Sequence, residues 1–252
     1  MRRQLYVLTG ASRGMGAAMA AQLLHPTHLL LCLSRHRDAA LAEQATATGA
    51  ACEQWAVDLA EPLDASSRLQ RWLEALDATG FDGATLINNA AAVTRIGAID
   101  ACDPAELSAA LRVSLEAPLL LSAAFLRATR GWAARKRVLH ISSGLGRRAM
   151  AGQASYCAAK AGLDHLSRAM ALDEALRPDG ARIVALAPGV IDTDMQVQLR
   201  AGDAAGFPEK ANFVALKHDG QLASPEAAAG RVLAWLERAD FGANPVADVR
   251  GA

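Results

Sequence analysis

The chain has 252 residues, 52% of them hydrophobic, enough for one large core and a common size for a single α/β domain. Its 26 basic and 26 acidic residues cancel, so no net charge draws it to nucleic acid or to an anionic membrane. The four cysteines, Cys32, Cys52, Cys102 and Cys157, form no CxxC pair and no Cys/His ligand cluster, which argues against a metal site and a disulfide framework and for reduced thiols in the cytosol.

The N-terminus runs from Met1-Arg2-Arg3-Gln4 straight into a short apolar stretch that ends at Thr9-Gly10. A secretory segment would be longer and would end in a small-residue cleavage site, and a twin-arginine signal needs a longer apolar segment. No apolar stretch reads as long and unbroken enough to cross a bilayer. The expectation is a cytoplasmic protein with no membrane partner. Leu5–Leu8 reads as a first strand, followed by glycines and an Ala-rich helix through Leu24. Leu29–Leu33 is a second strand, Ala39–Thr48 a helix, Gln54–Val57 a third strand and Leu63–Ala78 a helix. Ala84–Ile87 is a fourth strand, and two long helical stretches bracket a fifth at Val138–Ser142. Ile183–Ala187 and Val246–Val249 complete the set. Apolar strands alternating with amphipathic helices predict a single-domain, doubly wound parallel sheet of about seven strands, covered by helices on both faces. The segment 190–223, with several Gly, Asp and Lys residues and Pro208, is the least regular and reads as a substrate lid.

The first strand leads into Thr9-Gly10-Ala11-Ser12-Arg13-Gly14-Met15-Gly16, and a helix follows at once. Glycines let backbone N–H groups approach a pyrophosphate, and the helix N-terminus favours its negative charge. The spacing is G-x-x-x-G-x-G, weak alone and stronger for lying between the first strand and the first helix. An NAD site commonly has an acidic residue about 20 residues further on, to bind the ribose 2′-hydroxyl. Here that place reads Ser34-Arg35-His36-Arg37, with no carboxylate before Asp38. A carboxylate would repel a 2′-phosphate, whereas Arg35 can grip one with two parallel hydrogen bonds and Arg13 can approach from the other side. NADP(H) is the expected cofactor.

Tyr156-Cys157-Ala158-Ala159-Lys160 lies in a helical pattern, and a spacing of four puts Tyr156 and Lys160 on one helix face. A tyrosine ordinarily titrates near pH 10, too high for efficient proton transfer at neutrality, and a nearby ammonium group lowers that value. Ser142-Ser143 closes the fifth strand at its carboxyl end, where parallel sheets face their ligands. From there the Ser143 hydroxyl can hold a substrate carbonyl oxygen near Tyr156. No His or Asp is placed to make Ser143 a nucleophile, and His140 reads as a packed strand residue.

Thr9-Gly10-x-x-x-Gly14-x-Gly16, Asp58-Leu59, Asn88-Asn89-Ala90, Ser143, Tyr156-x-x-x-Lys160 and Pro188-Gly189 follow one another in order. In that order and spacing, over essentially the whole chain, the sequence resembles the short-chain dehydrogenase/reductase family. The resemblance implies a cofactor site of Gly10, Ser12, Arg13, Gly14, Met15, Gly16, Arg35, Asp58, Leu59, Asn89, Ala90, Tyr156, Lys160, Pro188, Gly189 and Thr193. Asp58 would lie near the adenine, Asn89-Ala90 beside the cofactor, Lys160 at the nicotinamide ribose and Thr193 at the carboxamide. The second half is similar to the sepiapterin reductase and bacterial benzil reductase branch, through Tyr156–Ala161, Ala187–Gln196, Leu216-Lys217 and Gly220–Leu222. That similarity implies a vicinal dicarbonyl or pterin side-chain ketone as substrate, and it puts Asp248 where an acidic residue anchors the pterin.

Two positions depart from the family. Ser114, in Val113-Ser114-Leu115-Glu116-Ala117-Pro118, takes the place of an asparagine that holds a water of the proton relay behind the lysine. Ala91 replaces the glycine of Asn-Ala-Gly, so its backbone should avoid positive φ. The expected reaction is NADPH-dependent reduction of a small-molecule ketone. Its expected catalytic residues are Ser143, Tyr156, Lys160 and Ser114, and Ser143, Tyr156 and Asp248 are the expected substrate contacts. Oxidation of a secondary alcohol, or NADP binding without chemistry, are the alternatives. The long helices after Asp103 and Gln153 often form dimer faces in this family, which implies a homodimer or homotetramer.

Overall fold

The computed structural model describes residues 3–203 and 206–251. Strand β1 (Arg3–Thr9) feeds helix α1 (Gly14–Leu23), and β2 (His28–Ser34) feeds α2 (Ala39–Thr48). Next come β3 (Ala51–Ala56), α3 (Pro62–Glu74) and β4 (Phe81–Asn88). Helices α4 (Pro104–Leu111) and α5 (Ala117–Thr129) are joined through a π-helical turn at Arg112–Glu116. Then follow β5 (Arg135–Ile141), α6 (Ala154–Ala175) and β6 (Arg182–Ala187). Helices α7 (Asp194–Ala201), α8 (Lys210–His218) and α9 (Pro225–Leu236) precede the short last strand β7 (Val246–Asp248).

The strands form one parallel sheet in the order β3-β2-β1-β4-β5-β6-β7. The winding reverses between β1 and β4, and the carboxyl ends of these strands flank a crevice suited to ligands. Side chains alternate across the sheet. Leu5 and Val7 of β1 pack on one face with Leu69 of α3, Leu121 and Phe125 of α5 and Val138 of β5. Tyr6 and Leu8 pack on the other with Met19 of α1, Leu30 of β2 and Val232 of α9. This two-faced burial explains why the central strands are nearly continuous apolar runs.

The seven strands match the sequence reading, with differences at the margins. β3 begins at Ala51 rather than Gln54. It is an edge strand with Glu53 exposed, so it lacks the apolar run that marked the central strands. α3 ends at Glu74, and the chain turns at Ala78–Gly80, where the Asp77 carboxylate accepts from the Thr79 N–H. The segment 190–223 is more regular than expected, since it holds α7 and α8. Its two ends are pinned by a parallel bridge between Ile191 and Ala223. Pro104–Thr129 is, by length and composition, apolar enough to span a bilayer, contrary to the sequence reading. In the fold, its residues Ala117, Leu121 and Phe125 are buried in the core instead.

The close approach of α1 to the end of β1 fixes the crevice. A Cβ at Gly16 would sit 1.9 Å from the Gly10 carbonyl oxygen and 2.6 Å from Asn89 Nδ2. Only a hydrogen fits. Gly16→Ala should therefore destabilise the protein by about 1–3 kcal/mol, the usual cost of overpacking. Urea unfolding checks this, and wild-type stability in the variant would show that the approach is looser.

Candidate active site

The glycine turn is built for a phosphate. Gly10 and Gly14 have φ of +69° and +54°, which side chains adopt rarely. Gly10 N–H donates to the Leu33 carbonyl at 2.7 Å, holding the turn against β2. The first turn of α1 has no side-chain cap and no acidic residue, so its N–H groups are free to meet an anion. Thr9 Oγ1 accepts from the N–H groups of Asn89 and Ala90, at 2.9 and 3.0 Å. Asn89 Nδ2 donates back to the carbonyls of Thr9 and Gly10, at 3.0 and 3.2 Å. The carboxyl ends of β1 and β4 are thereby locked together. No non-glycine residue among those described has positive φ, so Ala91 sits in ordinary backbone, as expected.

At the end of β2, Arg35 is exposed, lines the cleft and makes no ion pair among the described residues. The first carboxylate after the strand, Asp38, is spent as the N-cap of α2, accepting from the N–H groups of Ala40 and Leu41. Gln54 of β3 holds the Asp38 backbone by two hydrogen bonds, of 2.7 and 2.8 Å. Sequence reading missed this clamp because it joins the edge strand β3 to the start of α2, 16 residues earlier. Arg13 also lines the cleft. Its guanidinium pairs with Asp194 of α7 at 3.2 Å, linking the glycine turn to the segment 190–223.

A cleft of about 870 Å³ runs from this end to the catalytic end. It is lined by Gly10, Ser12, Arg13, Gly14, Met15, Gly16, Arg35, Asp58, Leu59, Asn89, Ala90, Ser143, Tyr156, Lys160, Pro188, Gly189 and Thr193. Every cofactor residue expected from the sequence thus borders one cavity. Lys160 is 2% exposed, and its Nζ donates to the Ile141 carbonyl at 2.6 Å. It lies 5.5 Å from the centre of the Tyr156 ring. Burial lowers the Lys160 ammonium to about 8, opposed by the negative charge of Asp164. Burial pushes the Tyr156 hydroxyl up to about 12, opposed by a hydrogen bond with Ser143. The expected lowering of the tyrosine is therefore not met in this structure: burial is the main cause of the rise, and the Lys160 ammonium is turned to a backbone carbonyl. At neutral pH Tyr156 keeps its proton and can donate it. Ser143 Oγ accepts from the Leu145 N–H at 3.2 Å.

Two expected site residues lie elsewhere. Ser114 does not line the cleft. It is buried in the π-helical turn, where its Oγ accepts from the Ala92 N–H at 3.0 Å and donates to the Ala92 carbonyl at 3.4 Å. The widened turn aims it at the loop after β4, so a role in the relay is not what the structure displays. Asp248 also lies outside this cleft, facing a smaller cavity at the β7 edge. Its carboxylate is held by Arg250, at 2.7 and 2.9 Å, and by Arg147 at 3.8 Å. Those two guanidinium groups satisfy it where a substrate contact was expected.

With the geometry in place, the comparisons identify the family. A family profile described as short chain dehydrogenase matches residues 4–204. The chain belongs to the short-chain dehydrogenase/reductase family of oxidoreductases. Among curated relatives, a Bacillus cereus benzil reductase ((S)-benzoin forming) is 32% identical over 235 residues, covering 93% of this chain and 94% of that one. A sepiapterin reductase of Bos taurus is 31% identical, covering 95% and 91%. A solved metagenomic short-chain oxidoreductase in complex with NADP is 29% identical, with TM-score 0.68, covering 95% and 93%.

His140 on β5 is fully buried, and burial with the nearby Lys160 charge lowers it to about 3. Its Nδ1 meets Asn88 Nδ2 at 3.3 Å. The folded state thus resists a proton that the unfolded chain accepts below about pH 6.5. Its stabilising effect is complete above that pH and is lost progressively toward pH 3. His140→Asn should narrow the stability gap between pH 7 and pH 4.5 in urea unfolding. An unchanged gap would rule the histidine out as a source of acid sensitivity.

Proposed function

We propose that the protein is an NADP(H)-dependent carbonyl reductase acting on an apolar ketone or vicinal dicarbonyl. The observation that carries this reading is the convergence of Ser143, Tyr156 and Lys160 on the cleft that the glycine turn opens. The cradle suits the cofactor: Gly10 and Gly14 give the turn positive φ, the first turn of α1 has no side-chain cap, and Arg35 lines the cleft with no ion pair among the described residues, free to meet a 2′-phosphate. The bound cofactor supplies the hydride for the carbonyl carbon. Tyr156 donates its phenolic proton to the carbonyl oxygen, and the Ser143 O–H points a hydrogen bond at the same oxygen. Lys160, with one N–H on the Ile141 carbonyl, has others to offer the nicotinamide ribose. Asp58 and Leu59 would hold the adenine, and Pro188, Gly189 and Thr193 the nicotinamide.

Leu145, Met150, Met195, Leu199 and Phe213 line the catalytic end of the cleft. Such a wall suits aryl or alkyl substituents better than a sugar or a carboxylate. Reduction of benzil, the activity for which the Bacillus cereus relative is named, agrees with that chemistry. Much of this wall comes from the segment 190–223, which we read as the substrate lid. The exposed Leu119 of α5, Leu172 of α6 and Leu176 at the C-cap of α6 support pairing of two copies through these helices.

NADPH oxidation with benzil is the test. Tyr156→Phe should lower kcat by about 10²–10⁴-fold and leave the NADPH dissociation constant within about twofold. A turnover like that of the wild type would sink the assignment. Arg35→Ala should weaken NADPH by about 10–100-fold, the weight of hydrogen bonds to a charged group, and leave NADH binding unchanged. Equal losses for both cofactors would remove Arg35 from the 2′-phosphate site.

A further inference from the structure

Asp164 is a carboxylate 1% exposed, on α6 one turn beyond Lys160. A charge so deeply buried is costly unless it is paired and hydrogen-bonded. One of its oxygens accepts a hydrogen bond from Ser142 Oγ. The other accepts from Arg147 Nε at 3.3 Å. Between these partners, the turn at Gly144–Gly146 presses directly on the helix. A Cβ at Gly146 would lie 2.8 Å from Asp164 Oδ2 and 2.9 Å from the Lys160 carbonyl oxygen.

Arg147 carries the connection outward. Its Nη2 donates to the Ala247 carbonyl of β7 at 2.8 Å, and its Nη1 lies 3.8 Å from Asp248. A continuous polar chain therefore runs from Ser142, beside the catalytic Ser143, through Asp164 and Arg147 to the last strand of the sheet.

We propose that Asp164 is a positioning residue for the reaction: with Arg147 it fastens the Ser142–Gly146 turn, and so the Ser143 hydroxyl, to helix α6 and to the β7 edge. The proposal rests on the reductase reading of the cleft. Ser143 must meet the substrate oxygen to within a fraction of an ångström, and a strand end held only by backbone bonds is a poor mount for such a group. The carboxylate also acts on the neighbouring cation. Lys160 is faced by Tyr156 and Asp164 from its own helix and by the neutral His140 from β5. Asp164 is the group that favours its charged form against burial.

Asp164→Asn keeps the shape and removes the charge. With benzil and NADPH, kcat should fall about tenfold or more, with the KM for NADPH changed less than about twofold. The alkaline limb of the kcat–pH profile should move to lower pH, because Lys160 then loses its proton more easily. Arg147→Met should lower kcat by a smaller factor. Amide hydrogen exchange over residues 142–148 should quicken in both variants, about tenfold or more in Asp164→Asn. Wild-type kcat and pH profile in Asp164→Asn, or unchanged exchange in that segment, would overturn the proposal. If Asp164→Asn does not fold, Arg147→Met, at an exposed position, decides by the same exchange and kcat readouts. A wild-type protein that reduces no carbonyl would fail the reductase reading instead, and exchange alone would then decide whether the clamp exists.

Discussion

The ammonium of Lys160 is buried at the carboxyl edge of the sheet and donates to the Ile141 carbonyl at 2.6 Å. Much of the catalytic end depends on this contact. It ties α6 to the last residue of β5, and the helical repeat then places Tyr156 one turn earlier on the same face. Burial of both groups sets their protonation. The cation is loosened toward neutrality while the phenol is kept as an acid. The site thus holds a protonated phenol beside a buried cation.

The other end of the cleft depends on backbone proximity. Gly16 lies against the Gly10 carbonyl, and Thr9 and Asn89 exchange hydrogen bonds across the point where strand order reverses. The turn that would receive a pyrophosphate is held on three sides, by β2, by β4 and by α1. Such rigidity means little rearrangement has to accompany binding. At the rim, Asp38 is committed to a helix cap, and Arg35 makes no ion pair among the described residues.

The sheet was legible from sequence because its central strands are buried on both faces and read as apolar runs. The edge strand β3 was shifted for the complementary reason: one side meets solvent and carries Glu53. The glycine turn and the Tyr156/Lys160 pair were legible because each is set by local spacing. The polar chain from Ser142 through Asp164 and Arg147 to Asp248 was not, since its members are brought together only by the fold. For the same reason the sequence did not show that Arg147 and Arg250 hold Asp248. The π-helical turn that sets Ser114 against Ala92 likewise has no mark in the sequence. The rise of Tyr156 was missed because the influence of Lys160 can be read from spacing and the depth of burial cannot.

Leu145, Met150, Met195, Leu199 and Phe213 border the same cleft as Tyr156, the feature on which the proposed ketone substrate rests. Transfer of label tests the central claim most directly. The protein is mixed with benzil and NADPH deuterated at the transferable position of C4, and the alcohol product is isolated. The account predicts deuterium bound to the new carbinol carbon. A product that carries only solvent hydrogen at that carbon, or no alcohol at all, would contradict it.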